Sequence, residues 1–253
     1  MTYLDSPVPV AIAHRGYSRD GLENSIAAFR AAVDLGFTYV ETDLHTSADG
    51  VLLVFHDARL DRVTDGHGEI AALTAAQLAQ VRIDGRESIP RLTELVTALP
   101  GVRINLDVKD VASVEPLVAA IEEYGLHSRI CVASFSDKRR RAVLRRLSRP
   151  TASSAGRTST AAFALLGPWL PKTLLGRILR DVDCLQLPLR YKSFHLVTRR
   201  SVARAHALGL KVHVWTINEP AQMHALFDLG VDGVMTDRAD LLADGMRDRG
   251  YWT

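Results

Sequence analysis

The feature that most constrains this chain is an alternation. Short runs rich in apolar and β-branched residues recur along it, separated by longer segments of helical period. The runs fall at about 8–13, 38–43, 102–108, 129–133, 151–155, 183–187, 211–215 and 233–235, with a further run, 51–55, set beside the series. Helical spacing is clearest at 25–35, where Ile26, Phe29, Ala32 and Val33 share a face and Gly36 ends it. Alternation of this kind builds βα units on a parallel sheet. A doubly wound open sheet would want a glycine-rich phosphate loop after the first run, and Gly16 stands alone there. The expected fold is therefore α/β, a (β/α)8 TIM barrel forming a single domain over 1–253, a length that suits this architecture. A short insertion after the second βα region is expected at about 58–102, either a small lid at the substrate entrance or a plain connecting subdomain.

The runs share a second property: polar or ionisable residues close them. His14 and Arg15 follow the first, Glu41 and Asp43 close the second, and His56 and Asp57 follow Phe55. Asp107 and Lys109 close the run near 102–108, Trp215 and Thr216 another, and Thr236 and Asp237 the last. In a barrel the C-terminal strand ends converge, and catalysis is built there. So many charges at one end would burden a core unless a ligand, a metal or their own pairing satisfied them. Glu41 and Asp43 are two apart and point to one face of a strand, as do Asp107 and Lys109. Converging carboxylates repel, and a hard divalent cation with oxygen ligands relieves that. The alternative is an ion-pair network of Glu41 and Asp43 with Arg15 and Lys109. His14 and His56 at the same mouth suit acid–base work near neutral pH, and Arg15 and Lys109 suit phosphate.

Composition narrows the partners. The net charge is only +2, which gives no case for nucleic acid. The cluster Lys138, Arg139, Arg140 and Arg141 with Arg145 and Arg146 reads as a solvated helix face. Cys131 and Cys184 sit inside apolar runs and read as buried reduced thiols. With no leader-like segment in the first nine residues and no membrane-length apolar run, a cytoplasmic location is expected. The segment 163–179 is strongly apolar and reads as an outer barrel helix, a dimer contact, or a weak membrane or lysolipid contact. Oligomeric state is left open.

In order along the chain, His14-Arg15-Gly16, Glu23-Asn24-Ser25, Glu41-x-Asp43, and His56-Asp57 with Arg62 and Thr64 resemble the glycerophosphodiester phosphodiesterase family. The later segments Asn105 to Lys109, Val214 to Asn218 and Gly233 to Asp237 match it too, so the resemblance runs from about His14 to Leu242. It implies metal-dependent cleavage of glycerophosphodiesters to glycerol 3-phosphate and an alcohol. His14 and His56 would be the acid–base pair, Glu41, Asp43 and Asp107 the ligands of one divalent cation (Mg2+ or Ca2+, with Mn2+ possible), and Arg15 and Lys109 the phosphate contacts. Glu23, Asn24, Asp57 and Trp215 would support them, Glu23 by orienting Arg15 or a histidine. The chain departs from the family at Asp107, where glutamate is usual; the shorter side chain reaches an ion through a water or draws it deeper. Two other functions fit the same residues: lysophospholipase D-type cleavage of lysophospholipids, and an inactive barrel that binds phosphodiesters.

Overall fold

The computed structural model describes residues 2–192 and 194–252. β1 (Val10–His14) leads through α1 (Ile26–Asp34) to β2 (Tyr39–Thr46). β3 (Leu52–Val54) turns back antiparallel on β2. An excursion follows, carrying α2 (Ala75–Leu78) and the ribbon β4 (Arg82–Ile83) and β5 (Glu87–Ser88), before α3 (Leu92–Ala98) returns the chain to the barrel. Next come β6 (Arg103–Val108), α4 (Val114–Glu123), β7 (Ile130–Ala133), α5 (Asp137–Leu144) and β8 (Ala152–Ser153). Two helices, α6 (Arg157–Leu166) and α7 (Lys172–Ile178), lead to β9 (Cys184–Pro188) and to a ribbon of β10 (Arg190–Tyr191) and β11 (Phe194–His195). The chain ends with α8 (Arg199–Ala207), β12 (Lys211–Trp215), α9 (Pro220–Leu229), β13 (Gly233–Thr236) and α10 (Ala239–Asp248).

The strands lie in the order β8-β7-β6-β2-β1-β13-β12-β9, every neighbouring pair parallel. A parallel bridge between Ser154 and Cys184 joins the two ends and closes the ring. All eight expected runs are barrel strands, and 51–55 contains β3, which lies beside the barrel. The excursion has its own apolar cluster of Leu53, Phe55, Leu60, Ile70, Leu78, Ile83 and Ile89. No helix among the described residues is long and apolar enough to cross a membrane.

Period-two alternation sorts each strand between helices and interior. Val40, Leu44, Ile104, Leu106, Val132, Val212 and Val234 belong to the core shared with the helices. Val10, Ile12, Tyr39, Cys131, Cys184 and Met235 fill the interior near the strand starts, packed on Tyr3. The same interior series continues upward as His14, Glu41, Asp43, Asn105 and Asp107, so polarity rises along one face of β1 and β2. Apolar packing at the base thus provides a rigid floor for a charged mouth.

β8 is short because Ala152 and Ser153 have weak strand preference, and the closing seam needs other support. Arg140 provides it. The run that reads as a solvated face in the sequence buries this one guanidinium completely. It donates to Ser153 Oγ at 2.7 Å and Asp181 O at 2.5 Å, and pairs with Asp137 at 3.3 Å and Asp181 at 3.1 Å. The spacing of the run gave no sign of this, since Asp181 arrives from the loop before β9. Breaking a buried ion pair leaves an uncompensated charge, so Arg140→Ala should lose about 3–5 kcal/mol of unfolding free energy. Urea denaturation measures this; a loss below about 1 kcal/mol, the scale of an exposed pair, would show that the seam does not depend on it.

Candidate active site

Ring closure sets His14 beside its carboxylate. β1 neighbours β13 with Ala13 opposite Thr236, so the residues just past this pair, His14 and Asp237, meet at the rim. His14 Nδ1 lies 2.6 Å from Asp237 Oδ1. A carboxylate only accepts, so Nδ1 carries the proton and Nε2 turns inward, 3.7 Å from Glu41 Oε2. Burial disfavours the imidazolium, but Glu41 and the Asp237 hydrogen bond outweigh it, and the His14 pKa lies above its ordinary value. Asn218 Nδ2 holds the other Asp237 oxygen at 2.9 Å.

The second histidine repeats the arrangement. His56 Nδ1 donates to Asp57 Oδ1 at 2.5 Å, which leaves its Nε2 free. His45 lies behind, bonded to the His56 carbonyl at 3.1 Å and to Asp110 at 3.0 Å. Arg62 donates to Asp57 at 2.5 Å and to Glu23 at 2.7 Å. Burial pushes the Asp57 and Glu23 carboxyls up, yet the arginine contacts win and both lie below their ordinary range. Glu23 also receives Arg15 at 3.0 Å, and Arg15 Nε lies 3.4 Å from Asp43. One charge-assisted chain therefore runs from His56 to the barrel axis.

Local backbone geometry puts Arg15 and Asn24 in place. Both adopt left-handed φ, 57° and 60°, a costly conformation for residues with side chains. Asn24 N donates to Arg15 O at 2.9 Å, which locks the two turns together. Between them Gly16 lies against α1, where a Cβ would approach the Ala28 backbone to 2.7 Å. Asn24 is buried, accepting from Thr42 at 2.7 Å and donating to Asp43 at 3.4 Å, while Ser25 caps α1 through Ala28 N.

At the centre are the three carboxylates. Asp43 and Asp107 are register partners on β2 and β6, and Glu41 faces Asn105 one pair deeper. Lys109 Nζ bridges Asp43 at 2.8 Å and Asp107 at 2.6 Å; desolvation opposes its charge, but these two aspartates raise its pKa overall. The ion-pair network weighed from the sequence is thus present around Asp43, and among the described residues the side chains form no ready cluster of three metal ligands. The network is also incomplete. Asp107 Oδ1 is buried with no hydrogen-bond partner, and burial together with Asp43 pushes the Glu41 carboxyl up to about 8. Two unmet demands for positive charge at one point, both on hard oxygen donors, fit a divalent cation.

The comparisons with known proteins address the whole chain. Residues 14–241 match the model of the glycerophosphoryl diester phosphodiesterase family. A Mycobacterium tuberculosis protein named "Probable glycerophosphodiester phosphodiesterase 2" is 41% identical over 96% of this chain and 92% of its own length. The chain belongs to this family. An Oleispira antarctica phosphodiesterase solved in complex with the product sn-glycerol-3-phosphate is 27% identical, with a TM-score of 0.76 over 95% of this chain and 97% of its own. A Thermotoga maritima glycerophosphodiester phosphodiesterase has a TM-score of 0.74 at 20% identity, covering 95% and 99%. Membership of the glycerophosphodiester phosphodiesterase family makes the chain an enzyme and sets aside the inactive barrel.

Of the residues singled out in the sequence, His14, Arg15, Glu23, Asn24, Glu41, Asp43, Asp107 and Lys109 are joined by direct contacts or strand register. His56 and Asp57 join through Arg62, and Trp215 lies at the mouth against Phe135. The role of Asp237 as the His14 partner went unrecognised, as did the support of His45 and Asp110 behind His56. Asp237→Asn should keep the contact but favour the wrong tautomer, lowering kcat about 100-fold with KM little changed. Steady-state kinetics on a glycerophosphodiester reads this; unchanged kcat would detach Asp237 from the chemistry.

Proposed function

We propose that this chain hydrolyses glycerophosphodiesters to glycerol 3-phosphate and an alcohol, with His14 and His56 as its acid–base pair. The observation that carries this reading is the matched pair of histidine–aspartate dyads, His14–Asp237 and His56–Asp57, beside a carboxylate cluster at the barrel mouth. In each dyad the aspartate fixes the tautomer and leaves Nε2 to exchange a proton with substrate. One histidine takes the proton of the attacking hydroxyl, from water or from the glycerol 2-hydroxyl. The other protonates the departing alkoxide. Arg15 and Lys109 present cations to the phosphoryl oxygens, where negative charge grows.

Glu41, Asp43 and Asp107 would hold one divalent cation, Mg2+, Ca2+ or Mn2+, and when bound it would neutralise phosphoryl charge as a Lewis acid. The unpartnered Asp107 Oδ1 and the raised Glu41 pKa support this ligand set. His14→Ala and His56→Ala should each lower kcat by roughly 10²–10⁴-fold while substrate still binds. Near-normal turnover in either would remove that histidine from the pair. Excess EDTA should abolish activity, and calorimetric titration of stripped protein with Mg2+, Ca2+ or Mn2+ should give one site that Asp107→Asn weakens. Full activity in chelator, or heats unaltered by that substitution, would refute the ligand set.

A second reading, lysophospholipid cleavage, is supported by exposed Leu165, Leu166, Trp169 and Leu174 on α6, α7 and their connection. A Mus musculus protein named Lysophospholipase D is 26% identical over 92% of this chain and 84% of its own length. These exposed residues are also the proposed site of weak membrane or lysolipid contact. A cytoplasmic location belongs to the proposal too, supported by Cys131 and Cys184, free thiols with sulfurs 3.8 Å apart.

A further inference from the structure

Phe135 follows β7 and stands at the mouth with 43% of its surface exposed. Its ring meets Trp215 edge-on, centroids 6.0 Å apart and planes at 86°. Two cations already approach that ring: Arg157 Cζ is 5.0 Å from its centroid and Lys109 Nζ 5.7 Å. Lys109 is the residue that bridges Asp43 and Asp107, so this aromatic wall begins where the phosphate would sit. A third cation, Arg139, is nearby, its Nε donating to Ser134 Oγ at 2.9 Å.

Arg157 is exposed, yet its backbone is fixed. Its N–H donates to Phe135 O at 2.9 Å. On either side Asp137 accepts from Gly156 N at 3.2 Å, Thr158 N at 2.9 Å and Ser159 N at 3.1 Å. Gly156 is pressed so close that a Cβ there would meet Asp137 at 2.7 Å. The base of the guanidinium's arm is thereby set before any substrate arrives.

An aromatic wall can capture a quaternary ammonium when its π density is free. Here the Lys109 charge is answered by Asp43 and Asp107, but Arg157 already lies on the ring, and a further cation would meet its repulsion. The same wall suits an uncharged alcohol with several hydroxyls: its C–H faces pack on the rings, and its oxygens accept from the Arg157 N–H fork. We infer that Phe135, Trp215 and Arg157 form the alcohol subsite, selecting neutral polyhydroxy alcohols over choline-like cations. The inference rests on the phosphodiesterase reading above and goes further by naming the class of leaving group.

The test compares kcat/KM for glycerophosphoglycerol and glycerophosphoinositol with that for glycerophosphocholine in the metal-loaded enzyme. The wild type should favour the polyols by on the order of tenfold, the scale for unit charges about 10 Å apart, one on each side of a ring, near a protein surface. Added salt should narrow the ratio. Arg157→Gln should raise kcat/KM for the choline diester several-fold and lower it for the polyols, and Phe135→Leu should lower it for the polyols. A wild-type ratio at or below one, or a ratio that Arg157→Gln leaves unchanged, overturns the selectivity while leaving hydrolysis intact. A wild type that cleaves none of the three diesters removes the hydrolytic reading itself, and the subsite with it.

Discussion

The bridge from Lys109 to Asp43 and Asp107 is the interaction on which the mouth of this barrel depends. Buried carboxylates on neighbouring strands repel each other and resist desolvation, and only a cation placed between them makes the arrangement tolerable. From that bridge the charges extend without a gap through Asp43, Arg15, Glu23, Arg62 and Asp57 to His56. These contacts preorganise the polar groups before substrate arrives. The apolar floor below makes this possible, because side chains packed near the strand starts hold the strand ends at fixed separations.

The barrel was legible because its strands obey a simple rule. On the strands that build the site, the residues facing the helices are mostly apolar, while the inward series of β1 and β2 changes from apolar to ionisable toward the end. That pattern survives in one dimension, and it exposed Glu41, Asp43, Asp107 and Lys109 as candidates sharing one face. His14 and His56 were legible as strand-end residues. Their carboxylate partners differed. Asp57 is adjacent in sequence to His56 and was picked out, whereas Asp237 comes beside His14 only when the last strand closes on the first. The information was present in the barrel hypothesis, since closure requires those two strands to be neighbours, but periodicity alone does not draw the contact.

Arg140 shows another limit. A run of basic residues on a helix reads as a wet surface, and Lys138, Arg145 and Arg146 are exposed as that reading expects. Arg140 turns inward because Asp137 shares its helix and Asp181 reaches it from a separate loop. Asp137 also fixes the backbone around Arg157, so the charge that helps to close the barrel seam is tied to a group at the mouth. Sequence distance hid this link between scaffold and rim.

The His14–Asp237 contact joins the first strand of the barrel to its last, and this bears on how the molecule is made. During synthesis the opening strand leaves the ribosome with its histidine long before the aspartate is translated. Every partly made chain therefore lacks one of the two dyads, whatever local structure it has gained. If the dyads act as proposed, full competence waits for the ring to close, so a nascent polypeptide gains its second dyad only when nearly all of the domain has emerged.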